Sequence, residues 1–226
     1  MDDQYHQLVL EFPHLFNNKN AAFKIILDIS HIETWQVERR SELMRQGFPL
    51  SWADIGIILD DPYILVLRDL VKFPDNSLGG YIRLVNRFAL QGGSSVGVLP
   101  VIENKILLLQ HFRHATRSWH LEIPMGFGQP NSTPVENVRR EVMEEISGEI
   151  QTLKELGIVY NAGMSTYPVH LFFARLSAVG KPEEVEGIKT YHRLSLAQFE
   201  DGIRSGLITD SLALAAYTHA KLQGLL

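Results

Sequence analysis

Three glutamates, Glu141, Glu144 and Glu145, fall within five consecutive residues of this chain. On a helix turning about 100° per residue they share an arc of about 100°, beside a stripe formed by Val135, Val138, Val142 and Ile146. Acids at the border of a buried face can converge on the floor of a crevice, where a hard divalent cation relieves their mutual repulsion. The same residues also suit a solvated charged face, with Arg140 paired to Glu144 one turn on. Spacing alone leaves both readings open.

The helix that would carry these acids is well marked. Thr133 is a good N-cap, Pro134 fits the first helical position, and Glu136 three residues past the cap completes a capping box, which predicts a helix over 134–147. A glycine-rich loop, Gly126-Phe-Gly128-Gln-Pro-Asn-Ser132, runs into it. Its two glycines are not a dinucleotide-binding fingerprint, because the third spaced glycine and the βαβ setting are missing. Upstream, the apolar runs 96–102 and 106–110 flank Glu103-Asn104-Lys105 and predict a hairpin. Downstream, 158–160 and 169–174 read as strands. Two helices follow, one capped by Ser195 with Gln198 and one starting at Asp210.

The first 90 residues are mostly strand-like beyond a weakly patterned start. Ser30 with Glu33 predicts a capping box for a helix over 30–46, with Ile32, Trp35, Leu43 and Met44 as its apolar positions, stopped by Gly47-Phe48-Pro49. Segments 63–67, 70–73 and 81–85 are β-rich, with a hairpin-like turn from Pro74 to Gly80.

Composition narrows the function classes. The chain has 226 residues, 21 Lys plus Arg against 26 Asp plus Glu, and a net charge of -5. Disorder is excluded, and nothing supports nucleic-acid or membrane-surface binding, which need clustered basic residues. Without cysteine, disulfides, thiolate metal sites and cysteine nucleophiles are ruled out. No basic-apolar leader or spanning apolar run is present, so a cytoplasmic protein is expected. His111, His114 and His120 lack zinc-like spacing, and the first two would point to different faces of a strand. Trp119 and Phe127 suit base stacking or ordinary packing.

The segment from Gly126 to Gly148 resembles the Nudix box: Gly, five residues, Glu, seven residues, Arg-Glu, aliphatic, any residue, Glu-Glu, any residue, Gly, aliphatic. Gly126, Arg140-Glu141, Val142 and Glu144-Glu145 match without a gap. Ser132 stands where the family has its first Glu, and Ser147 where it has its late Gly, with Gly148 one position on and available for the left-handed helix end. Gln110-His-Phe-Arg113, Glu122-Ile-Pro-Met125-Gly126, Ala162-Gly-Met-Ser165, Val169-His-Leu-Phe172, Glu183-Glu184-Val-Glu186-Gly and Arg204 to Asp210 are similar to the ADP-ribose pyrophosphatase-like branch, over roughly residues 60–223.

That resemblance implies an α+β fold, an α/β/α sandwich with a mixed central sheet. A hydrolase domain over 91–226 would follow a β-rich, dimer-forming extension over 1–90. It implies hydrolysis of ADP-ribose or a related nucleoside diphosphate sugar to a nucleoside monophosphate and a sugar phosphate, with Mg²⁺ or in its place Mn²⁺, in a homodimer. Glu141, Glu145, Glu144, Glu186 and the Met125 carbonyl are the implied metal ligands, and Glu184 and Glu144 the catalytic acids. Arg113, Glu122 and Gly126 are the implied substrate contacts. In the family the Glu at position 132 holds the loop against the helix, so Ser132 raises an alternative: a catalytically weak nucleotide-binding sensor or partner-binding module.

Overall fold

The computed structural model describes residues 3–182 and 184–226; Met1, Asp2 and Glu183, the last a member of the acidic loop, lie outside the described residues. The chain divides into two compact units, residues 1–90 with 161–167, and residues 91–160 with 168–226.

The first unit contains α1 (Asp3–Glu11), β1 (Lys24–Ile25), α2 (Ile29–Gln46), β2 (Gly56–Asp60), β3 (Ile64–Lys72), β4 (Leu78–Asn86) and the single turn α3 (Arg87–Leu90). Its strands form an antiparallel sheet with β3 between β2 and β4. Several expectations are corrected here. The weakly patterned start folds as α1, and 63–67 and 70–73 are one strand, whose alternation places Leu65 and Leu67 in the core. Ser30 does not cap α2: Asp28 does, its carboxylate accepting the His31 amide at 2.9 Å, with the Ser30 hydroxyl donating to that carboxylate instead. A charged acceptor already in place wins over a hydroxyl two residues later. Ile32 and Leu43 are buried as expected, whereas Met44 faces outward.

The second unit contains β5 (Ser95–Ile102), β6 (Lys105–Arg113), β7 (Ser118–Glu122), β8 (Met125–Gly126), α4 (Pro134–Ile146), β9 (Glu149–Tyr160), β10 (Pro168–Ala178), β11 (Ile188–Leu194), α5 (Leu196–Arg204) and α6 (Ser211–Leu222). Glu103 and Asn104 both take positive φ, the twist a two-residue β5–β6 hairpin demands. Strand β10 runs parallel to β5 and antiparallel to β9, so the sheet, in the order β11-β6-β5-β10-β9 with β7 and β8 beside it, is mixed. Strand β11 was absent from the sequence-based expectation. It pairs with β6 and carries few consecutive apolar residues.

Helices cover both faces of this sheet. On one side Val138, Val142 and Ile146 of α4 pack on Val96, Val98, Leu107, Leu109 and Phe172. On the other, Phe199 of α5 and Ala213, Ala216 and Ala220 of α6 pack on Leu99, Leu108 and Phe173. Burial of each large aliphatic contributes about 1.5–3 kcal/mol, enough to fix which face of α4 turns inward. The expected α/β/α sandwich is what forms. Among the described residues no helix is long and apolar enough to cross a membrane.

Candidate active site

Local chemistry sets both ends of α4. The Thr133 hydroxyl accepts the Glu136 amide while the Glu136 carboxylate accepts the Thr133 amide at 2.8 Å, the predicted capping box. At the far end the prediction for Gly148 fails, because Ser147 itself takes the left-handed conformation, with φ 44°. Ser147 donates to the Met143 carbonyl and Gly148 to that of Val142, both at 3.0 Å, which closes the last turn one residue early. Gly148 serves packing instead: a Cβ there would lie 2.8 Å from Val142.

With the ends fixed and the valine stripe on the sheet, Glu141 and Glu145 are carried one turn apart into the interior. Both are buried, Glu145 to 4% exposure. The loop lies directly over them. Met125 donates its amide to Glu145 at 3.2 Å, and a Cβ on Gly126 would collide with the Glu141 carboxylate, so only glycine lets the acid reach the backbone there. Strand β8 anchors this stretch to β5 through Gly126–Val96 and Met125–Gly97.

Burial pushes the Glu145 carboxyl up to about 8, with the Glu141 charge adding to the effect. Glu141 is pushed up as well, first by burial and against the pull of Arg140. Two acids held in this way favour a proton or a cation close to them. Glu144 is placed differently. Half exposed, it pairs with Arg140 at 2.6 Å, the one-turn pairing that the sequence left open, and Arg140 also reaches Glu141 at 2.6 Å. Consistent with that spread, among the described residues no three His, Asp or Glu side chains stand together as a ready ligand set.

Of the other expected residues, Arg113 acts through its charge on Glu145, and Glu186 on both carboxylates. Glu122 lies opposite Leu109 on the β6–β7 ladder, is buried, and accepts Arg113 at 2.7 Å. Arg113 keeps about a third of its side chain exposed (36%) and lowers the Glu145 pKa through its charge. Glu184 and Glu186 sit on an exposed single turn whose Gly187 carbonyl accepts the Phe112 amide at 3.0 Å, hanging it from the end of β6. Glu186 raises the pKa of both Glu141 and Glu145.

Sequence reasoning missed two residues here. His111, set aside as structural, is buried 3.8 Å from Glu122, and its pKa is lowered by burial and by Arg113. Alternation along β6 puts it on the face of Leu109, a signal available from the hairpin. Asn137, also buried, ties the loop to α4, and no spacing rule singles it out. Trp119 packs edge-on against Phe112 at 5.4 Å and lines a cavity of about 520 Å³ with Gln110, Leu121, His192 and residues of α5. Gln110 and His192 share the sheet face of Leu108, opposite α4, so that cavity is separate from the acidic cluster.

The donor set suits a hard divalent cation: two buried carboxylates under a loop backbone, with Glu144 and Glu186 as further, exposed acids, and all of these donors oxygen. The family model for the NUDIX domain matches residues 93–208. No curated protein matches the chain. Among solved structures, one described as an ADP compounds hydrolase superposes with a TM-score of 0.64 at 16% identity, covering 76% of this chain and 95% of that one, a likeness of fold.

Proposed function

The chain belongs to the Nudix family, and from that premise we propose that it hydrolyses ADP-ribose or a related nucleoside diphosphate sugar to a nucleoside monophosphate and a sugar phosphate, using Mg²⁺. The family acts on nucleoside diphosphate-linked compounds with divalent metal ions, and this chain is a pyrophosphohydrolase of that kind. The observation that carries the reading is the pair of buried, mutually repelling carboxylates, Glu141 and Glu145, set under a glycine that admits them to the loop backbone.

Glu141, Glu145 and the Met125 carbonyl would hold the ion, with Glu144 and Glu186 completing its shell. Bound there, divalent cations polarise the pyrophosphate and make the attacking water more acidic. The chain's own groups do the rest. Arg113, oriented by Glu122, offers its exposed guanidinium edge to phosphate oxygens, a contact suited to forked hydrogen bonds. Glu184, on its exposed turn, is the candidate to take the proton of the attacking water, with Glu144 as the second candidate. Residues 1–90 are proposed as a dimerisation extension beside a hydrolase domain over 91–226. Exposed Phe48, Trp52, Ile58 and Leu59 in that extension support the reading.

The test is phosphate-coupled turnover on ADP-ribose, other ADP-sugars, GDP-sugars, dinucleotides and nucleoside triphosphates, with Mg²⁺, Mn²⁺ or EDTA. Chelator-sensitive preference for ADP-ribose or an ADP-sugar is expected. A folded protein that binds these compounds without turning any of them over would replace the proposal with the sensor reading.

A further inference from the structure

We propose that Asn137 is a positioning residue for this site: its amide, with the Ser132 hydroxyl, pins the glycine-rich loop to α4 and so sets where Met125 and Gly126 stand over Glu141 and Glu145. The inference rests on the hydrolase reading and deepens it. Asparagine favours a helix interior poorly, because its side chain competes for nearby backbone groups. Here it lies in α4 at 1% exposure, and every hydrogen bond that its side chain makes leaves the helix.

The amide oxygen accepts the Gln129 amide at 3.1 Å and lies 2.7 Å from the Ser132 hydroxyl. The amide nitrogen donates to the Ser94 carbonyl at 3.0 Å. Three segments therefore meet on one carboxamide: the loop, the helix and the residue that leads into β5. Gly128 confirms how closely the loop is fitted to it. With φ +80°, it has no room for a Cβ, which would fall 2.7 Å from the Asn137 nitrogen.

Only a group that donates and accepts satisfies all three partners. An aspartate would set a carboxylate against the Ser94 carbonyl, and an apolar residue would take the donor from that carbonyl and leave Gln129 and Ser132 bonded only to each other, with no tie to α4. Asn137 also precedes Glu141 by four residues, so both side chains rise from the same face of α4. Met125 and Gly126 are held on their other side by β5, the strand that Ser94 leads into. A loop released at Gln129 and Ser94 would thus shift against the carboxylates below it. At Ser132, where the chain departs from the Nudix box, the hydroxyl also accepts the Gln129 amide at 3.2 Å; it lies within reach of both the loop and Asn137, and the two residues act as one clamp.

The experiment compares wild type, Asn137→Ala, Asn137→Asp and Ser132→Ala by calorimetric Mn²⁺ titration, thermal melting, and kcat and KM on ADP-ribose at graded Mn²⁺. Residues that orient metal ligands change affinity or activity by about 10–100-fold. Accordingly, the Mn²⁺ dissociation constant is expected to rise about 10-fold or more in both Asn137 variants, with kcat falling and KM for ADP-ribose changing less than about threefold. Ser132→Ala should show a smaller loss in the same direction.

Folded Asn137 variants that melt lower yet bind Mn²⁺ like wild type would make the residue merely structural and overturn the inference. Where the Asn137 variants fail to fold, Ser132→Ala decides: unchanged Mn²⁺ affinity overturns it. A wild type that binds Mn²⁺ but hydrolyses nothing would sink the hydrolase reading alone, leaving the clamp to be judged by the affinities. A wild type that binds no Mn²⁺ overturns the clamp.

Discussion

Asp69 and Glu145 are both carboxylates withdrawn from water, at 1% and 4% exposure, yet the chain treats them in opposite ways. Asp69, in the first unit, receives the Tyr5 hydroxyl at 2.6 Å and two nitrogens of Arg83, whose guanidinium also donates to the Leu15 carbonyl at 2.7 Å. Its charge is neutralised on the spot. Glu145 receives one backbone amide at 3.2 Å and faces another buried acid. A satisfied buried charge locks segments far apart in sequence into one arrangement, whereas an unsatisfied one stores a demand for a cation or proton. The difference separates a structural carboxylate from a chemical one more sharply than burial does.

Substituting each acid should split stability from activity. Glu145→Gln is expected to lower turnover by about 10³-fold, because it removes a ligand-bearing charge from the site of developing negative charge. In EDTA at pH 8 it should melt no lower than wild type, since it removes a repulsion. Asp69→Asn should cost about 3–5 kcal/mol of stability, as it leaves Arg83 without its counter-charge. Urea melts alongside steady-state kinetics would check both. A Glu145→Gln protein with full activity, or an Asp69→Asn protein of unchanged stability, would erase the distinction.

The pH response of the metal-stripped protein sharpens the contrast. The folded state keeps a proton on Glu145 up to about 8, with Glu141 shifted in the same direction, while the unfolded chain releases these protons in the ordinary carboxylate range. The native state therefore binds more protons across that window, and the contribution to stability falls as pH rises through it. Saturating Mg²⁺ should flatten the fall, because the ion takes the place of the proton. Glu200, held down to about 2 by Lys221 and Tyr217, acts only at lower pH. Thermal melts from pH 5 to 9, with EDTA and with Mg²⁺, give the measurement; a stripped protein that gains stability across this range would contradict it.

The smallest expected effect concerns the end of the same helix. Ser147 occupies a left-handed position at φ 44°, which costs a residue with a Cβ about 1–2 kcal/mol and glycine little. Ser147→Gly should therefore raise the urea midpoint by the equivalent of up to about 1 kcal/mol and leave turnover unchanged. An unchanged or lower midpoint would show that the serine side chain, packed close to Gly180, compensates for the backbone.

Much of this site was legible before any tertiary contact was known. The start of α4, its capping box and the Arg140–Glu144 pair all depend on residues within four positions of one another, and of the expected apolar stripe Val138, Val142 and Ile146 are buried while Val135, in the first turn, stays exposed. Interactions of that range are encoded by spacing, and the same holds for the Glu103-Asn104 turn and for the caps at Ser195 and Asp210. Where local competition was close, spacing misled: Asp28 outcompeted Ser30, and Ser147 ended the helix before Gly148.

What spacing left open was settled by segments remote in the chain. Of the three glutamates between 141 and 145, the valine stripe docking on β5 and β6 sends Glu141 and Glu145 inward and leaves Glu144 to Arg140. The Asn137–Ser94 bond spans 43 residues and the Tyr5–Asp69 bond 64, so no window of sequence contains either. The sequence by itself determined which groups are present and how α4, α5 and α6 begin. The tertiary structure decided which of those groups lose their water, and desolvation is what turns a run of acids into a site.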